Sequence, residues 1–241
     1  MGRADLHIHT VYSDGMMNPE MVINHVIAQN QLDVIAITDH DTILGGLAAV
    51  DYLESHPELA AHIDVIVGSE ISSRDGHILG LFLQRDVPPH LTAKETVDLI
   101  HDQGGIAIAA HPYTFFYRIS KRLAGLKGVG NEIKAVDFDA VETKNSNPTE
   151  FISNYYTQWI NRINQKLPET GSSDGHFLSA IGKTYTEFEG STVDELKTSI
   201  EQGKVKSQGN IWHFQDLIGY IRDKRRLNRF LEEHNILLHL M

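Results

Sequence analysis

The 241-residue chain contains no cysteine. No disulfide can hold the fold, which therefore rests on a hydrophobic core, and no thiolate can act as nucleophile or metal ligand. Any transition-metal site must be built from His, Asp and Glu, a donor set that suits Zn, Mn or Fe rather than soft-sulfur chemistry. Positive charge is also scarce: 21 Lys and Arg stand against 32 Asp and Glu, a formal net charge of −11. That balance argues against tight nonspecific binding of duplex nucleic acid, which needs many cations on phosphates. It leaves room for a small phosphorylated substrate, because bound divalent metals invert the local sign. No run approaches the ~18 apolar residues of a membrane span, and Met1-Gly2-Arg3-Ala4-Asp5 opens without an apolar signal segment. A cytoplasmic protein with no membrane partner is the expectation.

What the chain has in excess is histidine, 14 residues in all. Hydrophobic content of 41% and charged content of 22% are ordinary for a globular protein. The length allows one large or two small domains. Short apolar runs alternate with helical patterns. The runs are Asp5–His9, Val34–Thr38, Asp64–Gly68, His77–Leu83, Ile106–Ala110, Ala140–Glu142 and Glu169–Ser172, with Ile181–Tyr185 as a further candidate. Asn18-Pro19 reads as an N-cap with proline in the first turn, opening a helix to about Gln29. Thr92-Ala-Lys-Glu95 and Thr192-Val-Asp-Glu195 are capping-box patterns, with stops at Gly104-Gly105 and near Gly203. Asn147-Pro148 precedes a helix carrying Phe151, Tyr155, Ile160 and Ile163, and glycines over 125–130 mark a loop. This alternation predicts an α/β fold with a mostly parallel sheet, a closed or nearly closed barrel over residues 1–210. Residues 211–241 are expected to form a helical extension packing on it, with Leu217, Ile218, Ile221, Leu227, Phe230 and Leu231 on its apolar stripe and Lys224-Arg225-Arg226 solvated.

In a parallel barrel, functional residues collect at the C-terminal ends of the strands. The first strand ends Asp5-Leu-His7-Ile-His9. Residues two apart on a strand share a face, so Asp5, His7 and His9 are expected on one side and Leu6 and Ile8 on the other. Paired imidazoles there suit chelation, with Asp5 placed to hold a ring N–H. Asp14-Gly15 follows in the next loop, the second strand ends in Asp39-His40-Asp41, and the third in Gly68-Ser-Glu70. His77 opens the fourth strand, His111-Pro112 ends the fifth, and Asp174-Gly-His176 follows the seventh. This set holds more ligands than one ion needs, and two or three metals are the reading.

Together, Asp5-Leu-His-Ile-His…Tyr-Ser-Asp-Gly15, Ile-Thr-Asp39-His-Asp41, Gly-Ser-Glu70, Gly-His77-Ile-Leu-Gly, Ala-His111-Pro and Gly-Ser-Ser-Asp174-Gly-His176 resemble the PHP (polymerase and histidinol phosphatase) superfamily, from about residue 4 to 186. The resemblance implies a distorted (βα)7 barrel with a trinuclear metal site at the strand C-termini. It puts His7, His9, Glu70 and Asp174 on one metal, Glu70, His77 and His111 on a second, and Asp14, His40 and His176 on a third. Some members have histidine where this chain has Asp14; an added carboxylate favours Mn, Fe or Mg there over Zn. In the nucleotide phosphatases of the family, a helical lid follows the strand matching His77–Leu83; here only Gln84 to Leu91 intervene.

The function expected is a metal-dependent phosphoesterase that hydrolyses a small phosphomonoester, a metal-bridging hydroxide attacking phosphorus in line. Asp39, or less directly Asp41, is a candidate orienting group or proton shuttle, though a loop-cap role suits Asp39 comparably. Arg74, Arg118 and Lys144 are candidate phosphate clamps, Arg74 the best placed by its position between Glu70 and His77. Tyr113 is a candidate pocket residue; the histidines outside the motifs read as structural or solvated, with His213 singled out because the C-terminal helix could fold over the barrel mouth. The second reading is a 5′→3′ exonuclease or oligonucleotide phosphodiesterase acting on a short oligonucleotide. Histidinol phosphate phosphatase fits less well, and a noncatalytic metal-binding regulatory module is the alternative of another class.

Overall fold

The computed structural model describes residues 1–114, 128–213 and 215–233; for Leu217 and residues 227–233 it describes the backbone alone. Arg118 and residues 125–127 of the glycine-marked loop lie outside the described residues. Nine strands form one sheet in the order β7-β6-β5-β4-β3-β2-β1-β8-β9. They are β1 (Gly2–Ile8), β2 (Val34–Ile37), β3 (Asp64–Ser72), β4 (His77–Leu81), β5 (Ile106–Ala109), β6 (Ala140–Asn145), β7 (Glu169–Ser172), β8 (Thr184–Phe188) and β9 (Val205–Gly209). β1, β2, β3, β5, β6 and β7 run parallel, and β4 runs opposite to both its neighbours. The sheet curls nearly shut. Beyond β7, Gly175 pairs with the end of β1, donating to His7 O and accepting from His9 N at 3.0 Å. β8 adds antiparallel to β1 on the edge away from β2, and Gly171 of β7 donates to Thr186 Oγ1 of β8.

The helices are α1 (Pro19–Gln29), α2 (Leu44–Glu54), α3 (Pro57–Ala60), α4 (Ala93–His101), α5 (Phe151–Ile163), α6 (Val193–Glu201) and α7 (Asp216–Glu233). Asn18 caps α1 by accepting from Met21 N, and both expected capping boxes form, on α4 and α6. No helix separates β3 from β4, and between β5 and β6 the described residues hold only a 3₁₀ turn, Gly130–Lys134. α2 and α3 fill the stretch between β2 and β3, for which the strand–helix alternation gave no helix boundaries. None of the described helices is long and apolar enough to cross a membrane.

Both faces of β2 and β5 are buried, which explains their continuous apolar runs. Alternate residues of β2 go to different cores: Val34 and Ala36 join Leu6, Ile66, Leu79 and Ile108, while Ile35 and Ile37 pack with Val22, Ile23 and Val26 of α1. β1 departs from the expected alternation. Leu6 joins the first core and Ile8 the second, because the β1–β2 register shifts between Asp5 and Ile8. Such an irregularity re-aims the side chains that follow it, here those that open the site. α5 also departs from expectation. Ile160 is buried, but Phe151, Tyr155 and Ile163 are exposed, along with Ile152, Tyr156 and Trp159.

Candidate metal centre

The sheet brings His7, His9, Asp14, His40, Glu70, His77, His111, Asp174 and His176 to one rim. The antiparallel course of β4 is what delivers His77, its first residue, to the end where the parallel strands finish. Glu70 is the hub. Its Oε2 lies 3.2 Å from both His7 Nε2 and His9 Nε2 and 3.3 Å from His40 Nδ1. Its Oε1 lies 2.6 Å from His77 Nδ1 and 3.0 Å from His111 Nε2. Asp174 Oδ1 stands 3.3 Å from His9 Nε2 and 3.7 Å from His7 Nε2. Asp14 closes the open side, with Oδ1 3.4 Å from His9 Nδ1 and Oδ2 3.2 Å from His176 Nε2 and 3.8 Å from His40 Nε2. His111 and Asp174 hold left-handed backbone, φ 28° and 52°, a costly conformation for residues with a Cβ that is often met at functional sites.

Four triplets have ligand atoms within 4.8 Å of one another: His7/His9/Asp174, His7/Glu70/His111, His9/His40/Glu70 and His9/Asp14/His176. They share members, so this is one network rather than separate pockets. The residues fit divalent metal on a further count: Nδ1 of His9 and of His40 is buried without a hydrogen-bond partner. An orphaned imidazole nitrogen in an all-N/O donor set is what a borderline or hard cation satisfies.

Electrostatics bind the network. Burial favours a neutral His7, but Glu70 and Asp174 beside it outweigh burial and hold its ring protonated well above the usual range. Burial likewise opposes charge on His9 and His111, and the same carboxylates raise both rings to about 9. Glu70 and Asp174 are held well below the usual carboxylate range, the surrounding imidazoles overcoming their burial. A divalent cation offers those carboxylates the same compensation, and metal binding would displace the ring protons.

The support beneath the network differs from the sequence expectation. Asp5 holds no imidazole: it accepts from Ser173 N at 2.9 Å and Gly182 N at 2.8 Å, tying β1 to the loop after β7, and burial raises its carboxyl to about 6. His7 Nδ1 instead meets Glu142 Oε1 at 3.1 Å. Glu142 Oε2 accepts from His111 N and from Asn145 Nδ2, which also donates to Asp174 Oδ2. Sequence reasoning missed this pair; the signal was an acid in an otherwise apolar run, Ala140-Val-Glu142.

Asp39 is fully buried and accepts from Thr10 N, Thr10 Oγ1 and Ser13 Oγ at 2.6–2.7 Å, anchoring the loop that carries Asp14. Arg74 is exposed, with Nε donating to His90 O, and does not line the cavity before the cluster. Lys144 lines a separate surface depression with Arg162 and Lys206. Tyr113 packs edge-on against Tyr156, and exposed His213 donates its backbone N–H to Asp216. The cavity, about 550 Å³, is lined instead by Thr114, Asn147, Thr149 and Glu150 and by Met16, Phe177, Trp212 and Tyr220 around the cluster. Among the described residues no Lys or Arg lines it.

Comparison with known proteins finds relatives in sequence and in fold. An uncharacterised protein of Methanocaldococcus jannaschii is 35% identical over 178 residues, 69% of this chain and 94% of that one. A 5′-3′ exoribonuclease of Haemophilus influenzae is 32% identical, over 43% of this chain and 37% of its own length. A phosphoribosyl 1,2-cyclic phosphate 1,2-diphosphodiesterase of Eggerthella lenta is 34% identical over 35% of this chain and 32% of its own. Among solved structures, a two-domain protein from Bacteroides vulgatus containing a predicted PHP-like metal-dependent phosphoesterase superposes with TM-score 0.63 at 18% identity, over 86% of this chain and 64% of that longer one. PsfC from Pseudomonas syringae gives TM-score 0.61 at 14% identity, over 95% of this chain and all of PsfC. The PHP domain family model matches residues 5–205, and the chain belongs to that family.

Proposed function

We propose that the protein is a metal-dependent phosphoesterase that hydrolyses a small phosphomonoester at the rim of a distorted (βα)7-type barrel. The observation that carries this reading is the convergence of four overlapping ligand triplets on Glu70 and His9 at the floor of one cavity. His7, His9, Glu70 and Asp174 would hold one ion, Glu70, His77 and His111 a second, and Asp14, His40 and His176 a third. Ions bound there would supply Lewis-acid activation of water and neutralise phosphoryl charge. The chain's own residues do the rest. Glu142 fixes the His7 ring through Nδ1 and the His111 backbone through its N–H, so donors on β1 and β5 hold their spacing. Asn145 orients Asp174. Phe177 and Trp212, packed ring to ring, exclude water from one side of the cavity.

Similarity to an exoribonuclease and to a cyclic-phosphate diphosphodiesterase supports phosphoester chemistry in general. The lining of the cavity favours a small monoester over RNA, because a polyanionic strand calls for a basic, aromatic groove and no described cation lines this one. The test is phosphate release from a panel of nucleotides, 3′,5′-bisphosphates, sugar phosphates, histidinol phosphate and short oligonucleotides, with Mn or Zn. Release at least about 100-fold above a His7→Ala/Asp174→Ala control is expected. Activity equal to that control across the panel overturns the reading, and less than one metal per chain after loading overturns its multinuclear form.

A further inference from the structure

One carboxylate in the cavity is used neither by the metal network nor by its supports. Glu150 closes the 3₁₀ turn Pro148–Glu150 that leads from β6 into α5. The turn is rigid: Asn147 Oδ1 accepts from Thr149 N, and Pro148 fixes its first residue. Glu150 is 5% exposed, lines the cavity, and makes no ion pair among the described residues. Its Oε2 is buried with no hydrogen-bond partner. Burial drives the carboxyl above the usual range, although His111 and the hydroxyls of Ser153 and Thr114 pull the other way. A buried carboxylate oxygen left without a hydrogen bond is costly. No described hydrogen bond reaches that oxygen and Glu150 lines the cavity, so an occupant carrying a donor group would complete the carboxyl.

We propose that Glu150 is the specificity-determining residue for the leaving group, accepting a hydrogen bond from a hydroxyl or ammonium group on the alcohol portion of the phosphomonoester. The inference rests on the phosphoesterase reading above. The phosphoryl group occupies the His/carboxylate floor, and Glu150 Oε2 meets the remainder of the molecule. The cavity has a carboxylate there and no described Lys or Arg, so it selects against a second anionic group and for a neutral or cationic donor. Phe177, Trp212 and Tyr220 offer apolar surface to the carbon skeleton.

The test compares glycerol 1-phosphate, O-phosphoethanolamine, propyl phosphate and 3-phosphoglycerate on the metal-loaded full chain and its Glu150→Gln variant. The hydroxyl and ammonium arms separate the two donor types; propyl phosphate has no donor and 3-phosphoglycerate adds an anion. In the variant the kcat/KM ratio of the better donor-bearing ester to propyl phosphate falls about 10- to 100-fold, carried mainly by KM, and the ratio of 3-phosphoglycerate to propyl phosphate rises. Parallel loss on all four esters, or unchanged ratios, overturns the assignment of Glu150 while leaving the phosphoesterase reading standing. A wild-type chain that hydrolyses none of the four or of the broader panel overturns the phosphoesterase reading, and this inference with it. If Glu150→Gln unfolds below assay temperature, Glu150→Asp keeps the charge but withdraws it from the cavity. The same collapse of the donor ratio is expected there, and its absence overturns the assignment.

Discussion

At the scale of single residues, Asp39 shows how neighbouring chemistry divides labour. Its sequence position beside His40 suits a proton shuttle, but its carboxylate is fully taken up by Thr10 and Ser13. Gly45 is part of the same arrangement, since a Cβ there would collide with Asp39 Oδ2. Asp39→Asn replaces an acceptor with a donor and sets it against a donor of the loop. The variant should lose ~1–3 kcal/mol of unfolding free energy in urea titration and weaken metal retention at Asp14. Unchanged stability with a large fall in kcat would instead give Asp39 a part in proton transfer. Glu142 illustrates what single residues conceal in sequence. An acid buried in a strand reads as an anomaly until its partners are known, and those partners, His7 and His111, are 135 and 31 residues away.

At the scale of elements, the legible parts were those with a local cause. The N-caps of α1, α4 and α6 and the apolar runs of β2, β4 and β5 are written within a few residues of themselves. Most ligand-type residues could be read because each sits just past such a run. What escaped depends on tertiary context. β9, Val205-Lys-Ser-Gln-Gly209, has one buried residue and no apolar alternation; pairing with β8 makes it a strand. α2 contains Gly45-Gly46, poor helix formers retained where Asp39 and Val67 press close. α5 has the reverse fault: its apolar residues outnumber what the barrel covers. Ile160→Ala should therefore cost ~2–4 kcal/mol, and Ile152→Ser, on the exposed face, less than ~0.5 kcal/mol in the same titration. α1 supplies a pH term. Burial depresses the pKa of His25, with Asp223 opposing and Arg222 of α7 reinforcing the shift. A depressed folded-state pKa means that the unfolded chain binds the proton more readily. The stability that neutral His25 contributes is complete above pH ~6.5 and lost as pH falls through the lower folded value. Wild type should lose more Tm between pH 7.5 and 5.5 than His25→Asn; equal losses would place the acid sensitivity elsewhere.

At the scale of the whole molecule, the segment after residue 210 is joined to the barrel through the stretch that carries His176. Trp212 N donates to Ser146 O, and the ring of Trp212 meets Phe177 at 5.6 Å, as does that of Tyr220. Lys183 Nζ reaches Asp216 Oδ1 at 2.8 Å, and Ser179 Oγ donates to Asp216 O. Asp223, wholly buried on α7, accepts from Leu178 N at 2.9 Å. The barrel lays down the His/carboxylate floor, and the C-terminal segment supplies Trp212 and Tyr220 to the cavity above it. Loss of the tie should therefore be felt first in the cavity. Asp223→Ala leaves the Leu178 N–H buried and unpaired, a cost of ~1–3 kcal/mol, and frees Phe177 to shift with its ring partner Tyr220 on α7. His7, His9, Glu70 and Asp174 keep their positions, since none of their hydrogen bonds and ion pairs among the described residues reaches this segment. The expected outcome is a lower Tm and a raised KM for the preferred ester, with metal content per chain unchanged by elemental analysis. A variant that loses metal in step with stability would show that α7 supports the floor itself and not only the cavity above it.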